Sequence, residues 1–599
     1  MTVFFLNILL VFLQALQMDA SDNPDNIHIR INQLGYLPEE SKIAIAFSHG
    51  AIKEKFLLIS DDSKSTITAF KPKRSNANGW GTFDYYYEID FSQIAMPGNY
   101  FLQGEKSKSR SQSFCISSKA YQDQTETLLG FMRQQRCGYN PFLDRVCHQK
   151  DGRSMFGPVP DSTYVDVSGG WHDAGDQLKY LITGSYATAH MLLAYALYPD
   201  KFADRVNALG QPFPNDIPDV LDEAKWGLDW IHKLHPSPSQ LFHQVADDRD
   251  HVGWKMPDND PSDYGWGANG YRVVYYATGQ PQGLREYKSE ATGIANLAGR
   301  SAAAMALAAR IWKDHLNDPA YSKKCLDAAR SLYQLGRENE GFQQGNSYGA
   351  PYRYTEETWA DDMEWGAAEL YKATREKSYL EEAKRYAIMA NTVSWMNLDT
   401  AAHYQYYPFI NLGHFALHDL VDKNFQDTLA EYYRTGINYT LKKAATNPYG
   451  IGIPFIWCSN NLLTGLITQV ILYEKMTADI QYHQYLIAQR DWLFGRNPWG
   501  TSMFTGIPAG GEYPVDVHTS IWALTKSEVP GGLVDGPVFT SIYNSLQGLT
   551  LVNPDEFAEV QNKYVVYHDD TGDYSTNEPT MDGTAGSILM MAHWAPIIE

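Results

Sequence analysis

The chain has 599 residues, more than a single hydrophobic core ordinarily holds, and 44% of them are hydrophobic, so two domains with sizeable cores are expected. Its net charge of −21 weighs against nucleic acid or an acidic membrane surface as a partner. The 40 tyrosines and 15 tryptophans serve cores first, but exposed ones offer flat apolar faces that stack on sugar rings.

Residues 2–17 form an apolar run followed by Asp19-Ala20-Ser21 and read as the apolar part of a secretory signal over residues 1–21, although no basic residue precedes the run. No other stretch is long and apolar enough to span a bilayer. A monomer exported to the outside or to a periplasm is expected. The five cysteines, Cys115, Cys137, Cys147, Cys325 and Cys458, are too few and too scattered to form a disulfide framework.

Residues 22–118 show β-type alternation from Ile27 to Ile31, Lys42 to Ser48, Phe83 to Asp90 and Asn99 to Gln103. Turn residues separate these runs, at Gly35, Asp61-Asp62, Asn76 to Gly79 and Pro97-Gly98. This spacing predicts a small β-sandwich. It gathers no cluster of acids, bases or metal ligands, and is read as an accessory module that either docks on the next domain or binds sugar.

Over residues 119–599 the texture turns helical. Apolar residues recur every three or four positions from Leu297 to Trp312, Asp361 to Thr374, Tyr379 to Ser394, Phe425 to Gly436 and Leu462 to Met476. Long loops rich in Gly, Pro, Trp and Tyr intervene, notably 240–292 and 494–548, and loops of that length are usually functional. Many helices without a βαβ rhythm predict a closed α/α barrel, in which the first and last helices become neighbours.

Two stretches carry the chemistry. Ser168 to Asp176 places Asp173 and Asp176 three residues apart on a loop loosened by Gly170 and Gly175, ahead of an apolar run from Leu178. Such a pair either dresses a helix N-terminus or converges on a water molecule as acceptor and base. Near the end, Tyr567 to Pro579 sets Glu578 among acids and aromatics, surroundings that raise a carboxyl pKa and suit it to donate a proton. Two carboxyl groups with different surroundings are what glycosidic cleavage requires, if ring closure brings Glu578 opposite Asp176.

These residues resemble glycoside hydrolase family 9, the cellulases with an (α/α)6 barrel. Gly169 to Tyr180 (GGWHDAGDQLKY) is similar to the family's catalytic-base motif, Gly495 to Gly506 (GRNPWGTSMFTG) to its central motif and Asp569 to Glu578 (DDTGDYSTNE) to its catalytic-acid motif. Ile29 to Pro38 (IRINQLGYLP) resembles the immunoglobulin-like module that precedes the barrel in one subgroup. The resemblance implies Asp176 as general base, Asp173 helping to hold the same water, and Glu578 as general acid, with inversion at the anomeric carbon. Inverting pairs stand roughly 6.5–9.5 Å apart to admit that water.

It further implies sugar contacts from His251 and Trp254, with His518, Trp359, Trp457 and Tyr574 as additional candidates, while Arg496 and Asn497 shape their loop. The family's His-His-Arg group is altered here: Val515 to Ser520 keeps His518 and lacks the arginine. Plain cellulose, xyloglucan, mixed-linkage glucan and chitosan-derived chains therefore stay open as substrates, as does endo against exo cleavage. A glucan-binding protein without activity is the alternative outside enzymes, against which the joint retention of Asp173, Asp176 and Glu578 argues.

Cys137, Cys147, His148 and His172 would complete a tetrahedral zinc shell with no open position; the alternative is two buried free cysteines and two surface histidines. The subgroup with the immunoglobulin-like module has a similar arrangement, which favours a structural zinc. Calcium is the second cation that the resemblance admits, with Asp361-Asp362 or Asp258, Asp260 and Asp263 as oxygen donors.

Overall fold

The computed structural model describes residues 26–77, 80–392 and 412–598; the apolar run 2–17, Asn78, Gly79 and Ser394 lie outside them. The N-terminal module is a sandwich of two four-stranded antiparallel sheets. One is ordered β1 (His28–Arg30), β2 (Ile43–Ser48), β6 (Tyr85–Asp90), β5 (Lys73–Arg74), and the other β4 (Thr66–Phe70), β3 (Phe56–Ser60), β7 (Gly98–Gly104), β8 (Phe114–Ile116).

Strand β2 explains how the module is used. Successive side chains of a strand point to opposite faces, and here both faces are covered. Ala44 and Ala46 enter the sandwich core with Phe56, Leu58 and Leu102, while Ile45 and Phe47 join the core of the second domain with Trp80 and Tyr86. Trp80 packs 5.2 Å from Tyr449 and 5.6 Å from Trp492 between ring centroids. The Asn32 amide donates to Tyr121 at 2.9 Å and to Asp491 at 2.8 Å, and Arg490 pairs with Glu40 at 2.8 Å. Of the two uses open for the module, docking is the one its residues serve.

Besides the short helices Ser520–Thr525 and Thr540–Tyr543, twelve helices of the second domain form two layers among the described residues. They are α1 (Gln124–Gln134), α2 (Leu181–Leu197), α3 (Asp219–Leu234), α4 (Ala295–Asp314), α5 (Pro319–Glu338), α6 (Ala360–Thr374), α7 (Lys377–Asn391), α8 (Leu412–His418), α9 (Lys423–Ala444), α10 (Ser459–Thr477), α11 (His483–Leu493) and α12 (Met581–Trp594). The even-numbered helices close a ring, α2 to α4 to α6 to α8 to α10 to α12 and back to α2, and the odd-numbered ones pack outside it. This is the (α/α)6 barrel.

The two layers differ in sequence for a physical reason. An inner helix is covered on every side, so α2 is buried continuously from Leu181 to Tyr195. An outer helix buries one stripe, as α5 does through Ser322, Cys325, Ala328, Ala329, Leu332, Tyr333 and Gly336. Inner helices also approach closely. A Cβ on Gly299 of α4 would lie 2.7 Å from the Asp362 carbonyl carbon of α6, and one on Gly366 would lie 2.8 Å from the Gly299 oxygen.

Among the described residues no helix is long and apolar enough to cross a membrane, and no disulfide joins the five cysteines.

Candidate active site

Ring closure assembles the site. The N–H of Met581, at the start of α12, donates to the Asp173 carbonyl at 2.9 Å, and the Gly175 N–H donates to Glu578 Oε1 at 2.9 Å across 403 residues of sequence. A Cβ at position 175 would lie 2.7 Å from Glu578 Oε1 and 2.2 Å from the His518 carbonyl oxygen, so the close approach of these strands needs glycine.

Around this junction lies a cleft of about 760 Å³, lined by Asp176 and Glu578 together with His251, Trp254, Tyr352, Trp457, His518 and Tyr574. The helix-capping use of the Asp173–Asp176 pair is not realised. Residues Lys179–Tyr180 form a short strand, α2 begins at Leu181, and its N-cap Tyr180 makes no side-chain capping bond.

The two cleft carboxyls have contrasting surroundings. Asp176 Oδ1 accepts from the Leu178 N–H at 2.9 Å and Oδ2 from the Tyr352 hydroxyl at 3.1 Å. Burial pushes its carboxyl up; the nearby His251 opposes that, Asp250 adds to it, and the two donors hold it down. Among the described residues the Glu578 carboxyl accepts from one donor, the Gly175 backbone N–H. Burial first, then the charges of Asp535 and Asp176, drive its carboxyl well above the ordinary range. Two carboxyls whose environments differ in this way are suited to act as a base and an acid.

Asp173 lies deeper, 4% exposed, accepting from Thr183 Oγ1 at 2.6 Å and from the Tyr354 hydroxyl. Asp176 is the member of the pair that opens to the cleft.

The other acids of the Asp569–Glu578 stretch serve its loop. Asp569 accepts from the Val515 and Asp516 N–H groups at 2.8 and 2.9 Å and from the Asn577 amide, tying the His518 loop to the Glu578 loop. Asp570 holds Val552, Asn553 and Gly572, and Asp573 pairs with His568 at 2.7 Å and with the Ser575 and Thr576 hydroxyls. Glu578 is the acid of that stretch that faces the cleft.

Of the aromatic candidates, Trp254 is 41% exposed with its ring 4.6 Å from His518, and Trp457 lies 5.8 Å from Tyr574, so both present faces to the cleft. His518 donates from Nδ1 to the Thr571 carbonyl at 2.7 Å, and burial lowers its pKa, so the neutral ring turns Nε2 to the cleft. Trp359 is half-buried, with its ring 6.0 Å from Tyr386 of α7.

Arg496 donates to the Tyr449 and Ala488 carbonyls, and Asn497 to those of Trp492 and Thr501, bracing their loop. No arginine lines the cleft among the described residues, and Lys255, its lysine, is buried against Asp250 at 2.6 Å and Asp260 at 2.9 Å.

Sequence reasoning missed Tyr352, Tyr354 and Thr183. The first two stand on an irregular loop between α5 and α6, without a motif spacing to mark them. Thr183 is one polar residue inside an apolar helix.

Beside the base loop, the donor atoms of Cys137, Cys147, His148 and His172 lie within 4.8 Å of one another. His148 Nδ1 stands 3.2 Å from His172 Nε2, and the other ring nitrogen of His148 meets Asp260 at 3.3 Å. Burial opposes ionisation of Cys137, yet Cys147, Lys179 and the two imidazoles outweigh it and bring the thiol well below its usual range.

Of the carboxylates considered for calcium, all but Asp361 are engaged elsewhere. Asp258 pairs with Arg145 at 2.7 Å, Asp260 with Lys255 and His148, and Asp263 accepts from the Gly265 and Gly267 N–H groups. Asp362 is held by Arg300 at 2.8 Å. Asp361 is buried without a donor to either oxygen, and burial pushes it to about 7.

Comparison with known proteins agrees with this architecture. Residues 25–109 match the cellulase N-terminal ig-like domain. Endoglucanase D of Acetivibrio thermocellus is 25% identical over 85% of this chain and 78% of its own length. A xyloglucan-specific endo-beta-1,4-glucanase of Bacteroides ovatus is 25% identical over 86% of each. A metagenome-derived glycoside hydrolase family 9 endoglucanase superposes with a TM-score of 0.75 at 25% identity, over 95% of this chain and 99% of that one. Residues 121–591, the whole ring of helices but for the last turn of α12, match the family model of glycosyl hydrolase family 9, and the chain belongs to that family.

Proposed function

We propose that the protein is an exported, inverting endo-β-1,4-glucanase in which Asp176 is the general base and Glu578 the general acid. The observation that carries this reading is the contrast between the two cleft carboxyls. Asp176, with a donor on each oxygen, ionises more readily and can take a proton from water, while Glu578 keeps its proton for the leaving oxygen. Water held by Asp176 attacks the anomeric carbon, the bond to the leaving oxygen breaks as Glu578 protonates it, and the proton of the water passes to Asp176.

Trp254, Trp457 and Tyr574 supply faces for sugar rings, and His251 and His518 contact hydroxyls. Asp173 supports the base loop from beneath. The apolar run before Asp19 supports export.

Hydrolysis of soluble β-glucans and chitosan oligomers, with products resolved by size and anomer, tests the reading. A ladder of oligomers with newly formed α-anomeric ends is expected from β-1,4-glucan. A single small sugar means exo action, a β-anomeric product means retention, and no turnover of any glucan favours a binding protein.

We further propose a structural zinc held by Cys137, Cys147, His148 and His172. The four donors converge, and Asp260 orients His148 through its second ring nitrogen, as carboxylates do behind zinc-bound histidines. The Cys137 N–H donates to the Gly170 carbonyl at 2.8 Å and the His172 N–H to that of Gln135 at 2.7 Å, so the ion would fasten the loop that leads into Asp173 and Asp176. One zinc per chain by elemental analysis is expected. Stripping it, or His172→Ala, is expected to lower the melting temperature and kcat together; full activity in zinc-free protein would sink the idea.

A further inference from the structure

The acid faces a second carboxyl that the reaction above leaves unused. Strands Leu533–Val534 and Pro579–Thr580 pair antiparallel in the register Leu533↔Thr580 and Val534↔Pro579, and the next step sets Asp535 opposite Glu578. The Asp535 N–H donates to the Glu578 carbonyl at 2.9 Å. Directly opposed residues of such a pair project to one face with Cβ atoms about 4.5–5.5 Å apart, where like charges repel.

Asp535 is 1% exposed; its Oδ1 accepts from the Cys458 thiol at 3.1 Å, and its Oδ2 is buried without a donor. The groups that act on this pair are acidic on every side: Asp176 and Asp173 from the loop before α2, Asp582 at the start of α12, and Asp573 of the acid loop. The Tyr352 hydroxyl and the neutral His518 share the cleft. No lysine or arginine pairs with either carboxyl among the described residues. Two adjacent buried carboxyls without a cation cannot both ionise near neutrality. Burial raises Asp535 as well and the Cys458 thiol on its Oδ1 opposes that rise, while Gly175 occupies Oε1 of Glu578 and leaves Oε2 open to carry the shared proton.

We propose that Asp535 is a positioning residue for the acid step, keeping the transferable proton on Glu578 from across the ladder. This rests on Glu578 being the acid. In Asp535→Asn the backbone bond to Glu578 remains while the charge is gone. The alkaline limb of the kcat/KM profile on β-1,4-glucan is expected to move to lower pH by about one unit or more. The acidic plateau and KM are expected to stay within threefold of wild type. A uniform loss at every pH with the limb unmoved would overturn the proposal, because a structural role alone predicts that pattern.

Carboxyl ¹³C titration, with Glu578 assigned by difference from Glu578→Gln, separates this from failure of the proposed activity, because it needs no turnover. The Glu578 signal is expected to titrate lower in Asp535→Asn than in wild type. Should that variant not fold, Asp535→Ser and the wild-type spectrum decide. A wild-type Glu578 that titrates in the ordinary carboxylate range overturns the proposal.

Discussion

Glu578→Gln is expected to lower turnover of β-1,4-glucan by on the order of 10²–10⁴-fold, the usual contribution of a general acid. The amide keeps the size of the side chain and an oxygen for the Gly175 N–H, so the loop and the cleft are retained while the transferable proton is removed. The loss is therefore specific to leaving-group protonation. A dinitrophenyl β-cellobioside, whose leaving group departs without a proton, is expected to keep most of its wild-type rate. Equal loss on both substrates would mean that Glu578 supports the cleft instead of the chemistry.

The pH dependence has a definite sign. With Glu578 as the acid it must be protonated, and its carboxyl is raised well above the ordinary range, so wild-type activity is expected to persist above the pH at which a normal glutamate ionises and to fall only as pH rises through the raised value. The base must be ionised, so activity also falls as pH drops through the Asp176 value. Glu578→Gln is expected to erase the alkaline limb and leave the acidic one.

Asp176→Asn is the second large effect, again on the order of 10²–10⁴-fold, but with a different signature. An asparagine can still accept from the Leu178 N–H, yet it cannot take a proton from water. The loss is expected for every leaving group, dinitrophenolate included, because nucleophile activation is needed in each case. In Asp176→Ala, azide needs no base and fits the vacated volume, so it is expected to restore turnover and yield an α-glycosyl azide. A product of β configuration, or rescue absent while the variant remains folded, would remove Asp176 from the base role and bring Asp173 forward. Asp173 is the weaker candidate because its carboxylate is already held by Thr183 and Tyr354 away from the cleft.

Much of this protein was legible in its sequence wherever the information is local. The three- and four-residue spacing from Phe425 to Gly436 in α9 follows from which face of that helix meets water, and the alternation of β2 from side chains that enter two different cores. The proposed base motif could be read because Gly170, His172, Asp173, Gly175 and Asp176 fall within seven residues of chain. The four donors of the proposed zinc site likewise fall between residues 137 and 172.

Tertiary structure decided what depends on closure and on desolvation. Gly175 and Glu578 meet because α12 returns to α2, a contact between residues 403 apart that no local pattern encodes. Asp569, Asp570, Asp573 and Glu578 are the same kind of group in sequence. The first three differ from Glu578 because backbone N–H groups, hydroxyls and His568 surround them, while Glu578 is left with one donor and acidic neighbours. Trp254 led Trp359 as a sugar platform in the sequence, and the fold leaves Trp254 41% exposed while Trp359 is half-buried beside Tyr386. Asp535 was silent in the sequence because its role comes from the register of a two-strand ladder. Residue types and spacing determined which groups could do chemistry; the distribution of water, donors and neighbouring charge, which exists only in the folded barrel, decided which of them does it.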